Sequence, residues 1–181
     1  MKKLAFAGIA VGLLAIFCAF TLPTQPETNT AEAPIEWMTW EQAIKASEKN
    51  PKKIFVDVYT DWCGWCKRMD KSTFTDPKVA SYINKHFYAV KFDAEQKEEI
   101  VYKGKTLKYM AAGRRGVHEL AYALLDGRLG YPAFVYLDEN QDRITISPGY
   151  KTPEVIITEL EFIAGEHYKT TSYEDFTKNG K

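Results

Sequence analysis

The feature that most constrains this chain is a cysteine pair that directly follows a run of apolar, β-branched residues. Residues 54–59 read Ile-Phe-Val-Asp-Val-Tyr, with Asp57 as the one charge. Such a run predicts a strand buried on both faces, as in a parallel sheet. Cys63 and Cys66 come next, and residues 67–71 continue with a helical pattern. The sequence therefore places Cys63 at the turn from a strand to the N-terminus of a helix.

The rest of the chain predicts alternating helices and strands. A capping box at residues 39–42 starts a helix that ends before Pro51, and Asp76-Pro77 starts a second helix that ends near His86. This order indicates one α/β domain with a central mixed β-sheet flanked by helices. The remaining predicted elements are strands at 88–93, 133–137 and 143–147, helices at 117–125 and 153–165, and a helical insertion within 94–130.

The N-terminus has the pattern of an export signal. Two lysines precede an uncharged apolar stretch that ends at residue 22 and is long enough to cross a bilayer. Residues 1–22 are predicted to be a signal peptide or membrane anchor, with lipid attachment at Cys18 as a third alternative. The domain then faces the periplasm or another compartment outside the cytoplasm, either free or membrane-tethered. Beyond this segment we expect a flexible linker at 23–34, the domain at 35–168 and a polar tail at 169–181.

Charge and cysteine content exclude several classes of protein. The 24 basic and 24 acidic residues give a formal net charge of +0, so the chain has no basic surface typical of nucleic-acid binding. One cysteine pair in the domain cannot build a disulfide scaffold. A zinc site needs about four ligands, and the three histidines do not lie at ligand spacing. We expect a monomer without metal or cofactor.

A cysteine pair at the start of a helix can carry redox chemistry. The sulfur of the first cysteine lies near backbone amides that have no partner within the helix. These amides favour the thiolate, which is the nucleophilic form of cysteine. The pair is therefore a candidate redox-active disulfide.

The sequence Trp-Cys-Gly-Trp-Cys-Lys at 62–67, with Asp57 in the strand before it and Tyr131-Pro132 before a later strand, resembles the thioredoxin superfamily. The Gly-Trp dipeptide resembles exported thioredoxin-like proteins of bacteria and stands where thioredoxin itself has Gly-Pro. The resemblance covers roughly residues 35–165 and implies a thioredoxin-like fold. It also implies that Pro132 is a cis-proline beside the active site.

The resemblance implies a role for each residue of the site. Cys63 would attack a substrate disulfide, and Cys66 would resolve the mixed disulfide. Asp57 would be the buried acid that takes the proton of Cys66, unless it faces water at a strand edge. Lys91 matches a lysine that pairs with this acid, with a solvent-facing position as an equal alternative.

Three aromatic residues would form the substrate-binding part of the site. The backbone of Tyr131 would pair with an extended substrate segment, in the manner of strand addition. Trp62 would pack beside the motif, and Trp65, between the cysteines, would be exposed to contact the substrate. Segment 94–130 is where we expect partner specificity, because it leads to Pro132.

These residues predict a thiol-disulfide oxidoreductase that acts on exported proteins carrying disulfides or thiols. A reductase supplied by a membrane electron-donor protein is favoured over an oxidase or isomerase, because no soluble thiol pool recharges the pair outside the cytosol. The alternative is a thioredoxin-like module that binds a metal ion or a partner protein with little catalytic turnover.

Overall fold

A mixed sheet lies at the centre of the structure, a computed structural model that describes residues 33–111 and 114–179. The elements in chain order are β1 (Trp37–Met38), α1 (Trp40–Lys49), β2 (Lys53–Tyr59), α2 (Gly64–Lys71), α3 (Pro77–His86), β3 (Phe87–Asp93), β4 (Ile100–Tyr102), β5 (Lys105–Leu107), β6 (Tyr109–Met110), β7 (Val117–His118), α4 (Glu119–Leu124), β8 (Ala133–Leu137), β9 (Arg143–Pro148), α5 (Pro153–Ala164) and α6 (Tyr173–Asn179), with a 3-10 turn at His167–Lys169.

The central sheet has the strand order β1-β3-β2-β8-β9. Strand β2 occupies the middle, pairing parallel with β3 and antiparallel with β8. All of its residues except the last are buried, which explains why its sequence is a continuous apolar run instead of an alternating one. The predicted central mixed sheet flanked by helices is therefore confirmed.

Alternate residues of β2 supply two separate apolar cores, one on each face of the sheet. Val56 and Val58 belong to the core that also contains α1 and α4. Phe55 belongs to the core beneath α3 and α5, where its ring stacks on that of Phe134 at 5.6 Å. Because side chains alternate along a strand, Asp57 points to the same face as Phe55.

The helices begin where their capping residues predict. Thr39 and Gln42 exchange the two hydrogen bonds of a capping box at the start of α1. Asp76 accepts hydrogen bonds from the first amides of α3, and Thr152 does so at α5. These local side-chain bonds satisfy amides that have no partner within the helix, which is why short polar motifs fixed the helix starts.

Segment 94–130 contains the predicted helix, as α4, and it also contains strands that the sequence did not predict. Its described residues, 94–111 and 114–130, form the antiparallel strand pairs β4-β5 and β6-β7. The predicted helix at 117–125 begins only at Glu119, because Val117 and His118 pair with strand β6. The hairpin β4-β5 turns at Lys103-Gly104, where both residues have positive φ. Strands of two or three residues are too short to show an alternating pattern, so the sequence did not reveal them.

The C-terminal region also differs from the expected polar tail at 169–181. Helix α6 forms there, and its Tyr173 and Phe176 rings both lie 5.3 Å from Phe162 of α5. Two aromatic residues three positions apart share one helix face, which is enough to dock an otherwise polar helix.

The predicted export segment at 1–22 and the linker up to residue 32 lie outside the described residues. Among the helices within 33–111 and 114–179, none combines the length and the apolar character that crossing a bilayer requires.

Docking of α6 gives a first testable prediction. Replacing Phe176 with Ala should lower the free energy of unfolding by about 1–2 kcal/mol, because its ring packs against both Phe162 and His167. Lys178→Ala, on the same helix, should change stability little, because this lysine is exposed and its ion pair with Glu174 lies on the surface. Chemical denaturation of both variants tests this, and an equally small effect of the two would contradict a docked helix.

Candidate active site

The two cysteines lie between the end of β2 and the first turn of α2. Cys63 is the residue that caps α2, and the Cys66 amide donates a hydrogen bond to Cys63 Sγ at 3.1 Å. Their sulfur atoms are joined in a disulfide, with 5.3 Å between the Cα atoms. The side chains are 5% and 2% exposed. An amide aimed at the Cys63 sulfur would stabilise negative charge on it once the disulfide is reduced.

Asp57 is buried on the face of β2 that carries Phe55, with 1% of its surface exposed. Its Oδ2 accepts a hydrogen bond from Lys91 Nζ at 2.6 Å, whereas Oδ1 has no hydrogen-bond partner among the described residues. Burial raises the pKa of Asp57 to about 6, although the Lys91 ammonium opposes this rise. The alternative of a water-facing strand edge is thus wrong.

Lys91 lies directly opposite Asp57 in the pairing of β2 with β3. Its ammonium bonds both Asp57 and Asp70, a carboxylate on α2 that the sequence did not single out. Burial lowers the pKa of Lys91, but the two carboxylates outweigh burial and raise it. Because a one-residue shift of register would turn Lys91 to the other face, only the paired sheet could decide between the two alternatives for this lysine.

Pro132 joins the site through strand β8. The Tyr131-Pro132 peptide bond is cis, and the next residue, Ala133, pairs with Val58 near the end of β2. The Pro132 carbonyl accepts a hydrogen bond from the Gly149 amide at 2.8 Å, so the loop after β9 also reaches this point. The antiparallel pairing of β8 with β2 is therefore what brings a residue far along the chain to the cysteine loop.

Trp62 and Trp65 are both about half exposed, at 51% and 54%. The Trp62 and Tyr131 rings pack edge to face, with 5.9 Å between the ring centroids. Trp65 lies 5.2 Å from Tyr150, a residue of the β9–α5 loop that the sequence did not predict at the site. Exposed aromatic rings therefore lie near Cys63 and Cys66 in the chain, in contact with two different loops.

Two further side chains that the sequence did not predict contact Trp62. Glu95 accepts a hydrogen bond from the indole Nε1 at 2.8 Å, and the Arg115 guanidinium lies 4.6 Å from the ring centroid. Both belong to segment 94–130, in hairpins and loops without a recognisable motif. Their role could not be inferred before the segment was placed against the cysteine loop.

Within the described residues, no group of three or more His, Cys, Asp or Glu side chains could hold a metal ion. His118, one of the three histidines considered as zinc ligands, is fully buried and uses its Nδ1 to accept the Leu120 amide at the start of α4. Its geometry is that of a helix cap.

The fold and the site together define a thioredoxin-fold protein with a Cys-x-x-Cys disulfide at a helix N-terminus, and the predicted resemblance to this superfamily is confirmed. A solved structure described as DsbH Oxidoreductase has a similar fold, with a TM-score of 0.56 and 16% identity over 78% of this chain and 92% of that chain. Residues 27–154 match the family model Thioredox_DsbH, described as "Protein of unknown function, DUF255". The chain belongs to this family.

Two curated relatives are similar over shorter stretches. The uncharacterized protein B0495.5 of Caenorhabditis elegans is 34% identical over 71 residues, which cover 39% of this chain and 10% of that protein. The thiol:disulfide interchange protein DsbD of Haemophilus ducreyi is 37% identical over 82 residues, 41% of this chain and 14% of that protein. The chain thus corresponds to only a small part of the length of each.

The raised pKa of Asp57 predicts a stability effect that depends on pH. Above about pH 6 the folded protein buries an ionised carboxylate, a cost that is absent below about pH 4, where Asp57 is protonated in both states. Asp57→Asn should therefore raise the free energy of unfolding by about 1–3 kcal/mol at pH 7, and this gain should fade as the pH falls from 6 to 4.

Denaturation of the oxidised protein at several pH values measures the effect, with the exposed neighbour substitution Asp61→Asn as control. In the Asp57 variant Lys91 keeps its bond to Asp70, so the Lys91 ammonium still has a carboxylate partner. Lower stability of Asp57→Asn at pH 7 would mean that the Asp57–Lys91 pair outweighs the burial of the carboxylate.

Proposed function

We propose that this chain is a thiol-disulfide oxidoreductase that reduces disulfides in other proteins. The observation that carries the proposal is the Cys63–Cys66 disulfide at the N-terminus of α2. The names of the similar proteins, DsbH Oxidoreductase and thiol:disulfide interchange protein, support it. A structural staple is a poorer account of this disulfide, because closing so short a loop restricts the unfolded chain little.

The reaction begins with the reduced pair. The Cys63 thiolate attacks one sulfur of a substrate disulfide, the substrate S–S bond breaks, and the departing sulfur takes a proton from water. Cys66 then loses its proton and attacks Cys63 Sγ, which breaks the mixed disulfide and releases the second substrate sulfur as a thiol. The substrate gains two electrons and two protons, and the pair ends as the disulfide seen in the structure. An external dithiol must reduce it again.

Asp57 is the proposed acceptor of the Cys66 proton. With a pKa of about 6 it is largely ionised at neutral pH, yet more basic than an ordinary carboxylate. Lys91 donates to Asp57 Oδ2 and is itself paired with Asp70, whereas Asp57 Oδ1 has no hydrogen-bond partner in the part of the chain that the structure describes, so that oxygen is available to a proton. We propose Lys91 as a proton-transfer partner through this contact.

We also propose the compartment in which the reaction takes place, its substrates and its source of electrons. The apolar segment at 1–22 supports a domain that works outside the cytoplasm, free or tethered to the membrane. Its substrates would be exported proteins with disulfides or thiols, and a membrane-bound dithiol protein would supply the electrons. We propose that it acts as a monomer, through the rim of Trp62, Trp65 and Tyr131.

Cysteine variants test the activity directly. The reduced wild type should reduce the disulfides of insulin, and Cys63→Ser should abolish this, because the attacking sulfur is lost. Cys66→Ser should retain the attack and accumulate a mixed disulfide that mass spectrometry detects. The redox equilibrium of the pair should lie closer to about −270 mV than to about −120 mV. A wild type that exchanges with no disulfide would instead favour the binding module.

The role of Asp57 predicts a change in one step only. Asp57→Asn should slow resolution of the mixed disulfide by about 10²-fold, the usual contribution of a positioned proton acceptor, and leave the first attack by Cys63 nearly unchanged. Below about pH 6 the resolution rate of the wild type should fall with protonation of Asp57, whereas that of the variant should depend less on pH.

Rapid quenching with a labelled disulfide peptide separates the two steps. Asp61→Asn is the matched control, because this exposed aspartate lies four residues after Asp57, in the loop before Cys63, and outside the ion pairs of Lys91 with Asp57 and Asp70. Equal slowing of both steps in the Asp57 variant would argue against a proton-acceptor role.

A further inference from the structure

Trp62 is an exposed side chain that is nonetheless fixed by three contacts. Its indole N–H donates to Glu95 Oε1 at 2.8 Å, the Arg115 guanidinium lies 4.6 Å from the ring centroid, and the Tyr131 ring packs against the indole in a T-shaped arrangement. About half of the residue still faces solvent, at 51% exposed. An aromatic ring held in place before binding loses less conformational freedom when a partner docks on it.

Both charged side chains that contact Trp62 belong to segment 94–130, and hydrogen bonds hold the backbone beside each of them. The Glu95 amide donates to Asp93 Oδ1 at 2.9 Å, at the end of β3. The His118 amide donates to the carbonyl of Ala94 at 2.7 Å, which ties strand β7 to the same place. Arg115 lies just before β7, so both charged contacts of Trp62 come from segments that are hydrogen-bonded to the carboxyl end of β3.

Trp65 offers an internal comparison. It is equally exposed, but its contacts are Tyr150, in the loop after β9, and Arg68, on its own helix. None of these depends on segment 94–130. Changes at Glu95 or Arg115 should thus alter the position of Trp62 and leave that of Trp65 unchanged.

We propose that Glu95 and Arg115 are positioning residues that hold Trp62 beside Tyr131, the residue before Pro132. Through this position of Trp62 they favour polypeptide disulfides over small-molecule disulfides as substrates. The inference rests on the proposed function and deepens it. An extended polypeptide attached to the attacked sulfur can lie along Tyr131 and contact the fixed indole, whereas a small disulfide reacts at Cys63 without reaching that far. Trp62, Tyr131 and the two positioning residues form the specificity wall.

Kinetics with two kinds of disulfide test the proposal on the full chain. The variants Glu95→Ala and Arg115→Ala are compared with the wild type for insulin and for the small aliphatic disulfide bis(2-hydroxyethyl) disulfide, with an external dithiol as reductant and its direct reaction with each disulfide subtracted. We expect KM for insulin to rise about tenfold with kcat changed less than twofold, because a substrate contact is weakened and the chemistry is not. The rate with the small disulfide should stay within twofold.

Two further comparisons separate positioning from a general structural effect. Glu95→Gln retains an oxygen that accepts the indole N–H, and Arg115→Lys retains a cation over the ring, so both should recover most of the insulin KM. In a Trp62→Ala background, Glu95→Ala should cause no additional rise in KM, because its effect passes through the missing indole.

The possible results distinguish failure of the proposed function from failure of this inference alone. A wild type inert toward both disulfides would overturn the proposed function, and this inference with it. An active wild type whose Ala variants keep the insulin KM, or lose activity equally with both disulfides, would overturn the inference alone. Persistence of the Glu95→Ala effect without Trp62 would also overturn it.

Discussion

A carboxylate buried in the central strand is the constraint on which the rest of the site depends. Asp57 is 1% exposed, within a strand that pairs with a neighbour on each side. Burial of its charge is tolerated because Lys91, opposite in the next strand, donates to one oxygen. The compensation is incomplete, since the pKa of Asp57 remains raised to about 6. That residual cost leaves a carboxylate able to exchange a proton near neutral pH.

The same strand, β2, leads directly into the loop and helix that carry the two cysteines. Because β2 ends at Tyr59 and α2 begins at Gly64, the connecting loop is short and Cys63 must cap the helix. Strand β8, paired antiparallel with β2, brings Pro132 to this end of the sheet. The site is therefore assembled from strand ends and loops, while the two apolar cores on either side of the sheet hold those strands in register.

The sequence predicted the features that depend on residues close together in the chain, and it missed those that depend on contacts between distant segments. Capping boxes and the Cys-x-x-Cys motif act over a few residues, so α1, α3 and the position of Cys63 followed from the sequence. The contact of Lys91 with Asp57 needed the register of two strands, which residue patterns leave ambiguous. Asp70, Glu95, Arg115 and Tyr150 carried no motif, because each becomes part of the site only through the packing of distant segments.

By itself, the sequence determined the central strand, the cysteine pair at a helix start and the superfamily, because apolar runs, caps and a short motif are local properties. Only the tertiary structure decided that Asp57 is buried, that Lys91 faces it, and that segment 94–130 forms hairpins whose side chains hold Trp62. These depend on which surfaces meet when the chain folds. Strand register and the packing of a long insertion are set by contacts between residues far apart in sequence, which local patterns do not encode.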